Sequence, residues 1–186
     1  MMKQKYSYLL SPQELVEIFS SGTLFEAGSF FIIDPETNTY NEYRKTGPME
    51  EESKLLFQKY SEGATLIVRN LEHFNEPIRS YCAKLGRFVD VHMYLVPPNG
   101  NAAFEYHKDD CDVIVHLVYG KKTFYIKDSE GNETEHVLHA GDELFIKQNT
   151  YHKAKPHSAS CLLSFGHYPH EDYKVGTHFT PEHFQI

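Results

Sequence analysis

Apolar positions in the first half of the chain recur at helical spacing and are interrupted by short apolar runs, whereas the second half holds strand-length runs alone. Ser11-Pro12-Gln13-Glu14 has the order of a capping box, with a serine cap, proline in the first turn and glutamate three residues on. Leu15, Ile18 and Phe19 are the apolar stripe of the helix it opens, and the Gly22 region ends it. Residues 29–33 form an apolar run closed by Asp34-Pro35, which predicts a buried strand and a turn. Residues 38–48 are polar and irregular, and a mobile loop is expected there. A second helix is predicted over 50–60, its acidic first turn suiting the helix dipole; Glu50-Glu51-Glu52 is expected to be solvated. Residues 64–69 (ATLIVR) predict a strand. Asn75-Glu76-Pro77 then opens a third helix carrying Ile78, Tyr81, Cys82 and Leu85 on one side, stopped by Gly86.

From residue 88 the period changes. Strands are predicted over 88–96, 104–109, 111–118, 123–127, 134–138, 143–146 and 159–168. Turns fall at Pro97-Pro98-Asn99-Gly100, Tyr119-Gly120-Lys121 and Ser129-Glu130-Gly131-Asn132. No repeat, linker or low-complexity segment separates helices from strands. The expectation is one domain over 1–186: a helical and strand part about 1–87, a barrel core about 88–168 and a tail 169–186. The fold class is an all-β core with added helices (α+β), the helices packed against a double-sheet barrel.

Composition narrows the field. At 186 residues the chain is long enough to bury a real core, and 13 Tyr with 13 Phe favour a β-rich one. A formal charge of −8 argues against generic affinity for nucleic acid or anionic membranes. No apolar stretch approaches the length needed to span a bilayer, and MMKQKYSYLL lacks the apolar core of a signal peptide. Cys82, Cys111 and Cys161, an odd number at unrelated spacings, fit reduced thiols better than disulfides or a zinc site. A cytoplasmic protein is expected.

The candidate chemistry centres on His107-Lys108-Asp109. In an extended strand residues two apart share a face, so His107 and Asp109 would converge on one point. His152, 45 positions after His107, completes a two-His, one-carboxylate face of the kind that leaves other positions open on non-haem Fe(II). The gap has room for three or four short strands, enough to bring the chain back beside its start. With 12 His and 26 acids in the chain, a His-x-Asp triplet arises by chance, and the plain alternative is an exposed pair on an edge strand. The ordered context after it is what gives the triplet weight.

That context is Tyr94-Leu95-Val96-Pro97, a Gly-containing turn, His107-x-Asp109-Asp110-x-Asp112-Val113, an apolar strand, Gly120-Lys121-Lys122, and Gly141-Asp142-Glu143-Leu144-Phe145-Ile146 running on to His152. Over roughly residues 64–168 it resembles the JmjC-type cupin oxygenases, and most closely their ribosomal-oxygenase (cupin-4-like) branch. The resemblance implies a double-stranded β-helix (jelly-roll) barrel in which His107, Asp109 and His152 bind Fe(II). Lys122 would pair with the far carboxylate of 2-oxoglutarate, Tyr94 would hydrogen-bond the same group, and Ser164 is a further candidate for that contact. A diacid leaves one carboxylate in the barrel interior, where burial without a cation would cost several kcal/mol. The competing readings are a solvated hairpin lysine for Lys122 and a core aromatic for Tyr94. Phe124 stands where the family commonly has Trp, and no counterpart of the helical dimerisation and winged-helix segments of larger relatives is expected, which argues against a ribosomal protein as the substrate.

The resemblance thus implies a 2-oxoglutarate-dependent dioxygenase that hydroxylates a carbon centre, with an amino-acid side chain in a peptide or protein as expected substrate. A small-molecule substrate and homodimerisation are left open. Two alternatives remain: a cupin dioxygenase or isomerase using the same ligands on a metabolite without 2-oxoglutarate, and a non-catalytic cupin binding module. His136, His139, His157, His167, His170, His178 and His183 match no second metal site, and Asp112 is read as structural.

Overall fold

The computed structural model describes residues 9–20, 29–85, 89–100 and 104–167. In chain order the elements are α1 (Pro12–Ser20), β1 (Phe30–Ile33), β2 (Tyr40–Glu42), α2 (Met49–Ser61), β3 (Thr65–Val68), a 3-10 turn (Leu71–His73), α3 (Glu76–Leu85), β4 (Val89–Val96), β5 (Asp112–Tyr119), β6 (Lys121–Lys127), β7 (Glu133–His139), β8 (Glu143–Ile146), β9 (His152–Pro156) and β10 (Ser160–His167). The predicted stops at Gly22 and Gly86, the first residue of the 88–96 strand and the last of the 159–168 strand lie outside the described residues. The capping box forms reciprocally: the Ser11 N–H donates to Glu14 Oε2 at 2.7 Å and the Glu14 N–H to Ser11 Oγ at 3.2 Å. At α3, Asn75 Oδ1 accepts the Ile78 N–H at 3.0 Å.

The strands form two antiparallel sheets, one of order β2-β1-β3-β4-β10-β5-β8 and one of order β7-β6-β9. β10 pairs along its length with both β4 and β5, which is why SCLLSFGH is almost continuously apolar. Its alternation divides the core. Leu163 and Phe165 face the helices, where they meet Leu10, Ile18, Leu56 and Ile78. Leu162 faces the small sheet and packs with Val113, Val115, Leu117, Phe124 and Leu138. Each such side chain taken fully out of water contributes roughly 1.5–3 kcal/mol. The two facing sheets make the double-stranded β-helix barrel, with the helices on the outer face of the larger sheet.

Four local expectations are corrected. Residues 38–48 contain β2, which pairs with β1. Glu52 is not solvated; it is 3% exposed and accepts the Thr46 and Gly47 N–H groups at 2.7 and 2.6 Å and the Tyr43 hydroxyl. One carboxylate therefore ties down the segment read as mobile. Residues 104–109 do not form a regular strand: within them a single bridge joins His107 to His152. His152 opens a strand of its own, β9, that the pattern did not predict. The three cysteines are free and buried, and among the described residues no helix is long and apolar enough to cross a membrane.

Candidate metal centre

His107 and His152 are brought together by backbone first. Each N–H donates to the other's carbonyl, at 3.0 and 2.9 Å, so the rings sit side by side with centroids 4.3 Å apart. Asp109 is placed by the turn before β9. Its carbonyl accepts the Asn149 N–H at 2.9 Å, and Asp112 Oδ1 accepts the Gln148 N–H at 2.8 Å. Asn149 turns the chain with φ of 61°, a left-handed conformation that asparagine tolerates. The convergence of His107 and Asp109 therefore comes from clamps at both ends of a loop and not from strand alternation.

One donor atom from each of His107, Asp109 and His152 lies within 4.8 Å of the others, and His152 Nε2 is 3.4 Å from Asp109 Oδ2. Two ligands at right angles on one ion, each about 2.1 Å from it, sit about 3 Å apart, so the separation suits a shared cation. Both imidazoles are oriented alike: Nδ1 of His107 donates to the Glu105 carbonyl at 2.8 Å and Nδ1 of His152 to the Thr150 carbonyl at 2.9 Å. Such contacts fix the tautomer and leave Nε2 to the metal. Burial, and then the neighbouring His107 ring, push the His152 imidazole below its ordinary 6.5, favouring the neutral form that ligates. The donor set fits a divalent transition metal with open positions.

Tyr94, Lys122 and Ser164 line the same cavity as the three donors, with Phe104, Phe124 and Leu162 completing much of the wall. The innermost space is about 50 Å³. Lys122 is 5% exposed. It gets there through Gly120, whose φ of +90° turns β5 into β6 and whose α-carbon approaches the Ala159 carbonyl so closely that a Cβ would sit 2.3 Å from that oxygen. Burial pulls the Lys122 ammonium down to about 8, and no carboxylate pairs with it among the described residues. Burial holds the Tyr94 phenol well above its ordinary range, so it remains a donor. On the small sheet Ile126 pairs with His152, and Lys122 lies four residues further along β6. That is about 13 Å of strand.

All six residues singled out from the sequence thus border one cavity. Missed were Phe104, whose ring is 5.9 Å from that of His107, and Arg69, 8% exposed with its guanidinium over the Phe31 ring. The one signal for Arg69 was a cation closing an otherwise apolar strand.

No family model and no curated protein matches the chain. Among solved structures, the Escherichia coli ribosomal oxygenase YcfD superposes with a TM-score of 0.61 at 16% identity, over 87% of this chain and 45% of that one. Its complex with cobalt and 2-oxoglutarate gives 0.60 at 17% identity, over 87% and 45%, and its complex with cobalt and succinic acid 0.58 at 16%, over 87% and 45%. The chain spans less than half the length of these structures. At such identity the likeness speaks for architecture: this chain has the cupin-type double-stranded β-helix fold.

Proposed function

We propose that the protein is an Fe(II)- and 2-oxoglutarate-dependent oxygenase that hydroxylates a carbon centre, with an amino-acid side chain of a peptide or protein as substrate. The observation that carries this reading is the pairing of two sites in one cavity: a two-His, one-carboxylate donor set and a buried lysine that no carboxylate among the described residues pairs with. With 2-oxoglutarate bound, such a metal supplies O₂ activation, one oxygen atom entering a substrate C–H bond and the other leaving in succinate as CO₂ is released. His107, Asp109 and His152 hold one open face. Lys122 and the Tyr94 hydroxyl receive the far carboxylate, Ser164 adds a donor beside them, and Phe104, Phe124 and Leu162 keep bulk water out.

Anaerobic addition of Fe(II) and 2-oxoglutarate tests the reading directly. A visible metal-to-ligand absorption band is expected in the wild type, and none in His107→Ala. Succinate release from candidate peptides and metabolites, with His107→Ala as the blank, then reports turnover. A band that persists unchanged in Lys122→Ala would remove Lys122 from the co-substrate site. A flat spectrum in the wild type would favour a cupin that works without 2-oxoglutarate or a non-catalytic binding module.

A further inference from the structure

The seven-stranded sheet is wider than the three-stranded sheet it faces, so the inner face of β1, β2 and β3 runs on beyond the barrel. There Phe31, Ile33 and Ile67 pack with Tyr40, Tyr94 and Phe104. Ile67 pairs with Tyr94 across the β3–β4 ladder, and Arg69, two positions after Ile67, emerges on the same face. Its N–H extends the ladder onto the Ser29 carbonyl at 2.7 Å. The guanidinium carbon lies 4.2 Å from the Phe31 ring centre and 5.5 Å from that of Tyr40. The residue is 8% exposed. Its Nε and Nη2 are buried without a hydrogen-bond partner, and among the described residues no carboxylate lies within ion-pair distance of it.

Arginine carries a fixed positive charge inside proteins. Contacts with two aromatic faces offset a small part of the burial cost, and a counter-anion offsets far more. The position says where that anion would come from. Tyr94 lines the metal cavity, and the Phe104 ring lies 5.8 Å from Tyr94 and 5.9 Å from His107. Arg69 thus stacks on rings of the same aromatic cluster that Tyr94 and Phe104 carry to the metal cavity.

We propose that Arg69 anchors a carboxylate of the substrate, which makes the substrate a carboxylate-bearing molecule held with its oxidised carbon toward His107 and Asp109. This rests on reading those residues with His152 as the metal centre. The planar fork of the guanidinium matches a carboxylate at two points, and the stacked Phe31 and Tyr40 rings hold the fork in one plane.

The test is equilibrium binding by ligand-observed NMR to the full chain loaded with Zn(II). The probes are N-acetyl amino acids, each as free carboxylate and as carboxamide, and blocked pentapeptides with a central Glu or Gln. In the wild type the carboxylate form of at least one pair is expected to bind ten-fold tighter or more, and the arm in which this occurs identifies a small acid or a peptide as its source. Arg69→Met should equalise the pair while melting at or above the wild-type temperature. Arg69→Lys keeps the charge but loses the fork, should lose at least three-fold of the preference, and carries the test if the methionine variant does not fold. Equal affinities in the wild type, no binding by any probe, or a preference that survives both substitutions would overturn the proposal. A 2-oxoglutarate titration with Mn(II) on the same samples separates the two readings. Wild type that ignores 2-oxoglutarate yet prefers carboxylates removes the oxygenase and keeps the anion site. Loss of 2-oxoglutarate binding in Arg69→Met alone gives the guanidinium to the co-substrate and overturns the proposal.

Discussion

Replacing Lys122 by Met should make the unliganded protein more stable and at the same time blind to 2-oxoglutarate. The ammonium is buried, and burial lowers it from an ordinary 10.5 to about 8. That gap corresponds to about 3 kcal/mol. At pH 7 the group is charged in both the folded and the unfolded chain, so the folded state bears this cost in full. Between about pH 8 and 10.5 the folded chain binds fewer protons than the unfolded chain, so wild-type stability rises with pH across that window. Methionine keeps the apolar stem and removes the charge. The variant should therefore gain about 3 kcal/mol at pH 7, and the difference should shrink to less than about 1 kcal/mol by pH 10.5. For a chain of this length the gain at neutral pH is an upward shift in Tm of about 6–12 °C.

The ligand reverses the ranking. A diacid whose far carboxylate meets the ammonium restores its proton affinity, so binding takes up a proton above about pH 8 and wild-type affinity should fall by up to ten-fold per pH unit there. With Mn(II) and 2-oxoglutarate at a hundred times the Kd, the wild type should gain about 2.7 kcal/mol and Lys122→Met almost nothing. Denaturant melts at pH 7 and pH 10, with and without 2-oxoglutarate, measure every quantity in this chain of reasoning. A variant less stable than wild type at pH 7, or one that still binds 2-oxoglutarate with wild-type affinity, would refute it.

Three further outcomes follow from the same structure. His107→Ala and Asp109→Ala should each weaken Mn(II) binding by at least about a hundred-fold in calorimetric titration, since two donors cannot hold the ion as three do. Glu52→Ala should lower Tm at pH 7 by releasing the turn through residues 46 and 47. The hydrogen bond from Tyr43, with those from the Thr46 and Gly47 backbone, holds the Glu52 carboxyl below its ordinary 4.5, so its contribution is present above that pH, is lost as pH falls through the lowered value, and the gap between the two proteins should close in acid. Gly120→Ala should cost about 2 kcal/mol or more in denaturant melts, because its Cβ would meet the Ala159 carbonyl at a residue with φ of +90°.

The sequence carried the elements whose periodicity is set by a single partner surface. β4, β5 and β10 are apolar because they lie inside the large sheet, and α1 and α3 show their buried stripes and caps openly. What it hid were features that depend on a distant neighbour. β2 is three residues, YNE, at a sheet edge, where one ladder suffices and no apolar alternation is required. β9 is HKAKP, whose outward lysines and terminal proline mask an inner face of His152 and Ala154. Glu52 belongs to an acidic run, and nothing within that run distinguishes the one carboxylate that turns inward to cap a preceding turn. The donor set was legible through the 45-residue return from His107 to His152, although the reason given for it was incomplete. Strand alternation does not aim Asp109; the clamp between residues 109–112 and 148–149 does.

Three buried ionisable groups near the barrel show how a fold disposes of charge in its interior. Glu72 is raised to about 7 by burial, with Asp90 adding to the shift, while its Oε2 still accepts the Val91 N–H, so at neutral pH it is near half-protonated and the cost of burial is shared between its two forms. Lys122 takes the same escape only partly and stays charged below about pH 8. Arg69 brings the fixed charge of a guanidinium. The harder it is for a group to become neutral, the more its retention in the interior calls for an anion that arrives from solution, and the two groups that meet this condition lie in different sheets, Lys122 on β6 and Arg69 just past β3. A barrel serving only as scaffold would gain stability by replacing both with apolar residues. Keeping two buried cations at a cost to the folded state fits the proposal of two anionic guests, one for Lys122 and one for Arg69.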